Sequence, residues 1–299
     1  MKIPGAVASA IGDATQRPFH LLRATPVGGG DINQAFRLEG ADGSFYFLKL
    51  NAARQHAMFI AEAAGLQAIA ANNSIRVPRP ITHGTAEGLS FLVLEHLPLG
   101  GRNNAKLLGE QLAALHRNTA DRYGFAQDNF IGTTPQPNAW TDDWLDFWRE
   151  QRLGFQLRLA AKNGYDGELQ RLGKKLMDAL PVFFDGYTPQ PSLLHGDLWG
   201  GNHGFLADGT PVIFDPASYF GDRECDLAMT ELFGGYPAEF YAGYQAAWPL
   251  DAGYAQRREL YNLYHILNHA NLFGGAYFRQ AEHLSRKLLD AAWPRRPLG

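Results

Sequence analysis

Apolar and polar positions in the first third of the chain follow the patterns of β-strands and one helix. Two β-rich runs, 32–39 and 45–50, flank a Gly- and Asp-containing turn at 40–43, which predicts a β-hairpin. The Ala-, Glu- and Leu-rich stretch 59–71 predicts a helix, and the apolar run 89–95 has the length of a strand. The predicted order is strand, strand, helix, strand.

From residue 98 onward the pattern becomes helical, with one short β segment. Between the helices, 203–206 and 211–214 flank the sequence Asp208-Gly209 and predict a second hairpin. We therefore expect an α+β fold of two lobes, a β-rich lobe over 1–97 and a mainly helical lobe over 98–299. The predicted helices cover 106–117, 140–162 with Thr141 as its N-cap, 167–184, and 250–293 with a break near Gly274-Gly275.

Composition and charge place the chain among ordinary globular proteins. Of its 299 residues, 45% are hydrophobic and 19% are charged, which excludes disorder as the main state. The net charge of −3, without a long basic run or 18 consecutive apolar residues, disfavours nucleic acid and membrane as partners. The single cysteine, Cys225, and the interruption of the apolar N-terminal stretch by Pro4 and Gly5 predict a cytoplasmic protein rather than a secreted one. Both a monomer and a homodimer remain possible.

Two carboxylates and one amide lie on the two sides of the second predicted hairpin. Asp197 and Asn202 have the spacing of the kinase catalytic loop, whose Asp takes the proton of the substrate hydroxyl and whose Asn holds Mg²⁺. Asp215, after the hairpin, has the place of the Asp in the kinase Asp-Phe-Gly motif. Because Mg²⁺ prefers carboxylate, amide and phosphate oxygens, we expect Asn202 and Asp215 to hold Mg²⁺ on ATP, with Asp197 as the catalytic base.

Residues further upstream complete a nucleotide-binding pattern. Lys49 ends a predicted strand and Glu62 lies on the predicted helix, which is the order of the kinase Lys–Glu pair that binds the phosphates. A glycine triplet between strands lets backbone N–H groups approach phosphates, and the segment after strand 89–95 would be the hinge that binds adenine. Each feature alone is common in turns and on surfaces, but their order predicts a protein-kinase-like fold. The expected nucleotide-binding residues are Gly28, Gly29, Gly30, Asp31, Lys49, Glu62, Glu95, His96 and Leu97.

At these residues the chain resembles the fructosamine kinase (ketosamine-3-kinase) family of the kinase-like phosphotransferases, the superfamily that includes aminoglycoside and choline kinases. The likeness lies in residues 195–202 and 215–235 and continues near the C-terminus in 264–275. It extends over nearly the whole chain, and segment 215–235 is much more specific than the general kinase motif. Asp31 is a departure, because several relatives have a cysteine there, so the resemblance does not extend to thiol regulation of that loop.

The resemblance implies an ATP-dependent phosphotransferase that acts on the 3-hydroxyl of a ketoamine, the adduct of a reducing sugar with an amine. Its partners would be small ketoamines or glycated lysines of proteins, and its unstable product would regenerate the amine, which is deglycation repair. Asp226 would brace the catalytic loop. Trp199 would either stack on the substrate or only pack, and Asp222 and Glu224 could meet the substrate amine.

Two other functions fit the general motif. A kinase for another small molecule, such as an aminoglycoside or choline, is disfavoured by segment 215–235. A pseudokinase that binds nucleotide and serves as a scaffold is disfavoured because Lys49, Asp197, Asn202 and Asp215 are all present.

Overall fold

Residues 3–28 and 32–293 are described by a computed structural model. Their arrangement is β-rich up to residue 95 and mainly helical afterwards, as predicted. The strands are β1 (Leu21–Val27), β2 (Gln34–Gly40), β3 (Phe45–Ala52), β4 (Pro80–Ala86), β5 (Leu89–Glu95), β6 (Asn129–Ile131), β7 (Thr134–Gln136), β8 (Ser192–Leu193), β9 (His203–Phe205), β10 (Pro211–Ile213) and β11 (Phe220–Gly221). The α-helices are α1 (Gly5–Thr15), α2 (His56–Ala70), α3 (Ala105–His116), α4 (Trp144–Phe147), α5 (Gly154–Lys162), α6 (Glu168–Phe183), α7 (Glu224–Leu232), α8 (Ala238–Ala247), α9 (Tyr254–Phe273) and α10 (Ala276–Ala292).

The first five strands form one antiparallel sheet in the order β1-β2-β3-β5-β4. The predicted hairpin is confirmed as β2 and β3, and the register sets Lys49 opposite Ala35 on one side and Leu92 on the other. Strand β4 and helix α1 were not predicted. Strand β4 has a weak sequence signal, because it lies at the sheet edge and its sequence, Pro-Ile-Thr-His-Gly-Thr-Ala, has few apolar residues.

Strand β5 lies between two hydrophobic cores. Phe91 and Val93 belong to the smaller core, with residues of α1, β2 and β3. Leu92 and Leu94 belong to the larger one, which α2 shares with the C-terminal helices. This division follows from the two-residue period of a strand, whose successive side chains point to opposite faces. The first sheet ends at Glu95 and the next helix begins at Ala105, while the lobe boundary placed at residue 97 stays a prediction.

The helix predicted over 140–162 begins later than expected. Thr141 is not its cap, because the Thr141 backbone is hydrogen-bonded to that of Tyr123 in an isolated bridge. The cap is Asp143, whose carboxylate accepts a hydrogen bond from the Asp146 N–H at 2.8 Å. After α4 the chain makes a π-helical segment, Trp148–Leu153, before α5 completes the predicted span.

The helices at the end of the chain agree with the prediction. Helix α9 ends at Phe273 and α10 begins at Ala276, with Gly274 and Gly275 between them at φ of 68° and 62°. These left-handed values favour glycine and explain the break. Within residues 3–28 and 32–293, no helix combines the length and the apolar character that crossing a bilayer requires.

Candidate active site

Lys49 lies between two carboxylates from distant parts of the chain. Its Nζ is 2.6 Å from Glu62 Oε1 on α2 and 2.5 Å from Asp215 Oδ1, just after β10. Burial alone would lower the pKa of Lys49, but the charges of Asp215 and Glu62 outweigh it and hold the pKa above its usual value. Lys49 is therefore a fixed positive charge, and the predicted pairing of Lys49 with Glu62 is present in the structure.

Asp215 has an unusual backbone conformation. Its φ of 59° is in the left-handed region, which Asp tolerates better than most residues. The Lys49 and Glu62 side chains are 6% and 12% exposed, whereas that of Asp215 is 44% exposed. Asp215 is thus the open end of the buried ion-pair cluster, and its second oxygen is available to a ligand.

The loop that follows β8 carries Asp197 and Asn202. The Asn202 Nδ2 donates to the Asp197 main-chain carbonyl at 2.8 Å and lies 3.5 Å from Asp197 Oδ2. This bond uses the amide nitrogen of Asn202 and leaves its Oδ1 as a possible ligand. Burial, together with the charges of Asp215 and Asp226, raises the pKa of Asp197 to about 7, so this carboxylate is more basic than usual.

Backbone and imidazole hydrogen bonds join this loop to the segment that carries Asp215. His195 Nε2 lies 2.8 Å from the Phe214 carbonyl oxygen, while its Nδ1 accepts from the Asp197 N–H at 3.2 Å. These partners assign the proton to Nε2, and burial lowers the pKa of His195, so the ring is neutral. Gly196 has φ of 85°, and a Cβ there would lie 2.1 Å from the Ala217 oxygen. The loop can therefore approach this segment only with glycine at 196.

Asp226, at the start of α7, binds the backbone at the beginning of the loop that carries Asp197. Its carboxylate accepts the N–H groups of His195 and Gly196 at 2.7 and 2.8 Å. The third contact is to His116 Nε2 at 3.0 Å. Burial would raise the pKa of Asp226, but the hydrogen bond and charge of His116 lower it below its ordinary value. Sequence reasoning could not single out His116, because a histidine at a helix end is ordinary until the fold brings it to Asp226.

Asp222 and Glu224 do not lie where the sequence reasoning placed them. Both are fully buried. Asp222 accepts hydrogen bonds from the hydroxyls of Tyr187 and Tyr261 at 3.0 and 2.5 Å. Glu224 binds the guanidinium of Arg257 through both oxygens at 2.7 and 3.0 Å. The structure therefore does not support contact of these carboxylates with a substrate amine, because their oxygens are already bound to side chains of the helical region.

Trp199 lies on the surface, within the loop that carries Asp197 and Asn202. It is 39% exposed, and its indole ring covers Gly201, where a Cβ would lie 2.2 Å from the ring. Its main-chain carbonyl accepts a hydrogen bond from the Tyr236 hydroxyl at 3.0 Å. The ring has one packed face and part of its surface open, which is compatible with either role expected for it.

The expected adenine hinge follows β5. The Glu95 carboxylate is occupied by the Arg76 guanidinium and by the Arg79 N–H, so it is not free for a ligand. Among the described residues the Leu97 N–H has no acceptor, which leaves this main-chain donor available. Between these two residues, the ring centroid of His96 lies 5.9 Å from that of Phe45. Of the expected phosphate-binding turn only Gly28 is described; Gly29, Gly30 and Asp31 lie outside the described residues.

The donors around Asp215 suit a magnesium–nucleotide complex better than a metal bound by protein alone. Among the described residues no group binds Asn202 Oδ1 or the second carboxylate oxygen of Asp215, and such oxygens are the ligand type that Mg²⁺ prefers. Within 3–28 and 32–293 no group of three or more His, Cys, Asp or Glu side chains is placed to hold a metal ion. The residues present therefore fit a cation whose remaining ligands are phosphate oxygens and water.

Comparison with known proteins gives the family. Residues 4–291 match the family described as Fructosamine kinase. A "Probable ketoamine kinase" of Synechocystis is 49% identical over 286 residues, covering 95% of this chain and 96% of that protein. The chloroplastic "Protein-ribulosamine 3-kinase" of Arabidopsis thaliana is 42% identical over 270 residues, covering 89% of this chain and 81% of that protein.

Solved structures agree on the fold. A fructosamine-3-kinase family protein of Haemophilus somnus superposes with a TM-score of 0.85 at 30% identity, covering 95% of this chain and 96% of that one. An ADP-bound aminoglycoside phosphotransferase, APH(2'')-Ib, has a TM-score of 0.62 at 10% identity, covering 96% and 99% of the two chains. The predicted α+β, kinase-like fold is thus confirmed. The chain belongs to the fructosamine kinase family and is a phosphotransferase.

Proposed function

We propose that this phosphotransferase moves the γ-phosphoryl group of ATP, bound with Mg²⁺, to the 3-hydroxyl of a ketoamine. The carrying observation is the buried Lys49 held between Glu62 and Asp215, with Asp197 and Asn202 on the adjoining loop. The names of the relatives, ketoamine kinase and ribulosamine 3-kinase, support both the substrate class and the position on the sugar.

Each residue of the site has a distinct task in this proposal. Asp197 orients the sugar hydroxyl and accepts its proton, since its raised pKa makes it a stronger base than an ordinary carboxylate. Asn202 and Asp215 hold Mg²⁺, which when bound neutralises charge on the phosphates. Lys49 adds a second positive charge on the phosphates, and Glu62 fixes its position. Because phosphoryl transfer has a loose transition state, positioning and charge provide most of the rate.

The remaining nucleotide contacts are main-chain groups. The Leu97 N–H and the neighbouring carbonyls of Glu95 and His96 bind the adenine edge, and backbone N–H groups of 28–31 bind phosphates. Trp199 packs on Gly201 and offers its open surface to the sugar. Main-chain recognition explains why side-chain identity in the hinge carries little information.

The biological role that follows is removal of sugar adducts from amines. A phosphate on the 3-hydroxyl makes the adduct unstable, so the amine is regenerated. Small ketoamines and glycated protein lysines share the reacting group, and the chain acts as a monomer or homodimer. The cytoplasm stays the predicted compartment, while the plant relatives are named as chloroplastic.

The function is tested by a coupled assay of ADP release. Ribulosamines, erythrulosamines and fructosamines should each give ketoamine-dependent ADP, while choline and an aminoglycoside should give none above the ATP-only background. The assay separates the proposal from its alternatives: turnover confined to choline or the aminoglycoside would establish another small-molecule kinase. Nucleotide binding without turnover of any acceptor would establish a pseudokinase.

Replacing Asp215 with Ala should remove the magnesium-dependent part of nucleotide binding. In the wild type, Mg²⁺ should tighten binding of a non-hydrolysable ATP analogue. In Asp215→Ala this gain should fall at least about tenfold, because one of two protein ligands is lost. Isothermal titration with and without Mg²⁺ measures the effect.

Asp208→Ala is the matched control, since Asp208 lies in the exposed turn at the opposite end of the same hairpin. An unchanged magnesium effect in Asp215→Ala would remove Asp215 from the metal site.

A further inference from the structure

Two helices of the C-terminal region end in the same three residues, and these ends meet. Helix α7 is followed by Phe233-Gly234-Gly235, and α9 ends at Phe273, which Gly274-Gly275 follows. The ring of His269 lies between the two phenylalanines, 4.8 Å from Phe233 and 5.6 Å from Phe273 between centroids. Tyr277 adds a fourth ring 5.4 Å from His269. We call Phe233, His269, Phe273 and Tyr277 the aromatic cluster.

The aromatic cluster is open to solvent. Phe273 is 63% exposed and Phe233 is 38% exposed. All four glycines that follow them have φ between 62° and 93°, and a Cβ at any of them would meet nothing within 4 Å. Exposed apolar patches of this kind commonly mark binding surfaces. The helix ends therefore present partly exposed aromatic rings next to glycines whose Cα atoms face open space.

Residues that neighbour the aromatic cluster in sequence lie near two parts of the proposed active site. On one side, Tyr236, three residues after Phe233, donates to the carbonyl of Trp199, and Trp199 follows Asp197 by two positions. On the other side, a Cβ at Gly132 would lie 3.1 Å from Leu272 and 3.5 Å from Ile32. Ile32 directly follows the expected phosphate-binding turn, and Leu272 precedes Phe273. The segment after Phe233 thus contacts the loop that carries Asp197, and the residue before Phe273 lies beside Gly132, as does Ile32.

We propose that the aromatic cluster binds the amine-bearing part of the ketoamine, with an alkylamine of lysine type as the preferred form. This inference rests on the proposed function. In a ketoamine the nitrogen is on C1 of the sugar, two carbons from the 3-hydroxyl, so the amine projects just beyond the reacting group. A secondary ammonium and the methylene chain attached to it match aromatic faces, which attract cations and cover apolar chains.

The test compares two substrates that share the sugar. One is the ribulosamine of methylamine, which is too short to cover the aromatic cluster, and the other is the ribulosamine at Nε of N-acetyl-lysine amide. In Phe273→Ala we expect KM for the lysine adduct to rise about five- to tenfold, with kcat, KM for ATP and KM for the methylamine adduct unchanged. Phe273→Tyr keeps an aromatic face and should keep the wild-type KM.

Trp293→Ala is the control for loss of an exposed aromatic ring. Trp293 is 53% exposed and follows α10, about 25 Å from Ala276 at the helical rise of about 1.5 Å per residue. An equal rise in KM for both adducts, or no rise for either, would overturn the inference while leaving ketoamine phosphorylation intact. Absence of ketoamine-dependent ADP release by the wild type would instead reject the proposed function itself.

Discussion

Asp197→Asn is expected to lower kcat at least about 100-fold, the lower end of what general-base catalysis contributes. The change keeps the size of the side chain and the bonds that shape the loop, because Asn202 is held by the Asp197 main-chain carbonyl. What is lost is the basic oxygen, made more basic by burial and by the charges of Asp215 and Asp226. The measurement is steady-state turnover of a ketoamine, together with titration of the ATP analogue.

Affinity for the ATP analogue should stay near that of the wild type, because Asn202, Asp215 and Lys49 are intact. Asp208→Asn, at the exposed turn, controls for loss of an acidic side chain and should turn over normally. Turnover of Asp197→Asn within about threefold of the wild type would show that another group takes the proton.

Arg257→Met is expected to destabilise the fold by about 3–5 kcal/mol, the loss seen when one partner of a buried ion pair is removed. The Arg257 and Glu224 side chains are 2% and 0% exposed, and both Glu224 oxygens bind the guanidinium. Without Arg257 the Glu224 charge stays buried and unpaired. Equilibrium urea unfolding gives the change in free energy of unfolding.

Two further variants interpret that result. Arg258→Met is the neighbouring control: Arg258 is 35% exposed where it binds Glu231, so its loss should cost at most about 1 kcal/mol. Combining Arg257→Met with Glu224→Leu removes both charges and should recover much of the lost stability. If Arg257→Met lowers the free energy of unfolding as little as Arg258→Met does, the buried pair contributes little to stability.

The parts of the fold that sequence reasoning predicted depend on local signals. The hairpin of β2 and β3, the strand 89–95 and the break at Gly274-Gly275 are set by turn residues and apolar runs within a few positions. The kinase-type spacing likewise predicted that Lys49 would meet Glu62, as the structure shows. Such features can be predicted because they depend on the order and spacing of residues along the chain.

What sequence reasoning missed depends on contacts between distant segments. Asp222 and Glu224 stand in a conspicuous acidic run, yet the fold brings Tyr261 and Arg257 from α9 against them and buries both. Exposure cannot be inferred from charge alone when a partner lies more than 30 residues away. For the same reason the Thr141 cap was wrong, since pairing with Tyr123 places that residue in a bridge.

The carboxylate of Asp226 has a consequence for how this enzyme loses activity. It ties together the end of α3, the start of α7 and the loop that carries Asp197, all within the interior. A loop bound in this way belongs to the same cooperative unit as the surrounding helices. Heat or denaturant should therefore abolish catalysis and melt the C-terminal helices in a single step, without an intermediate that keeps its helices but has a loosened catalytic loop.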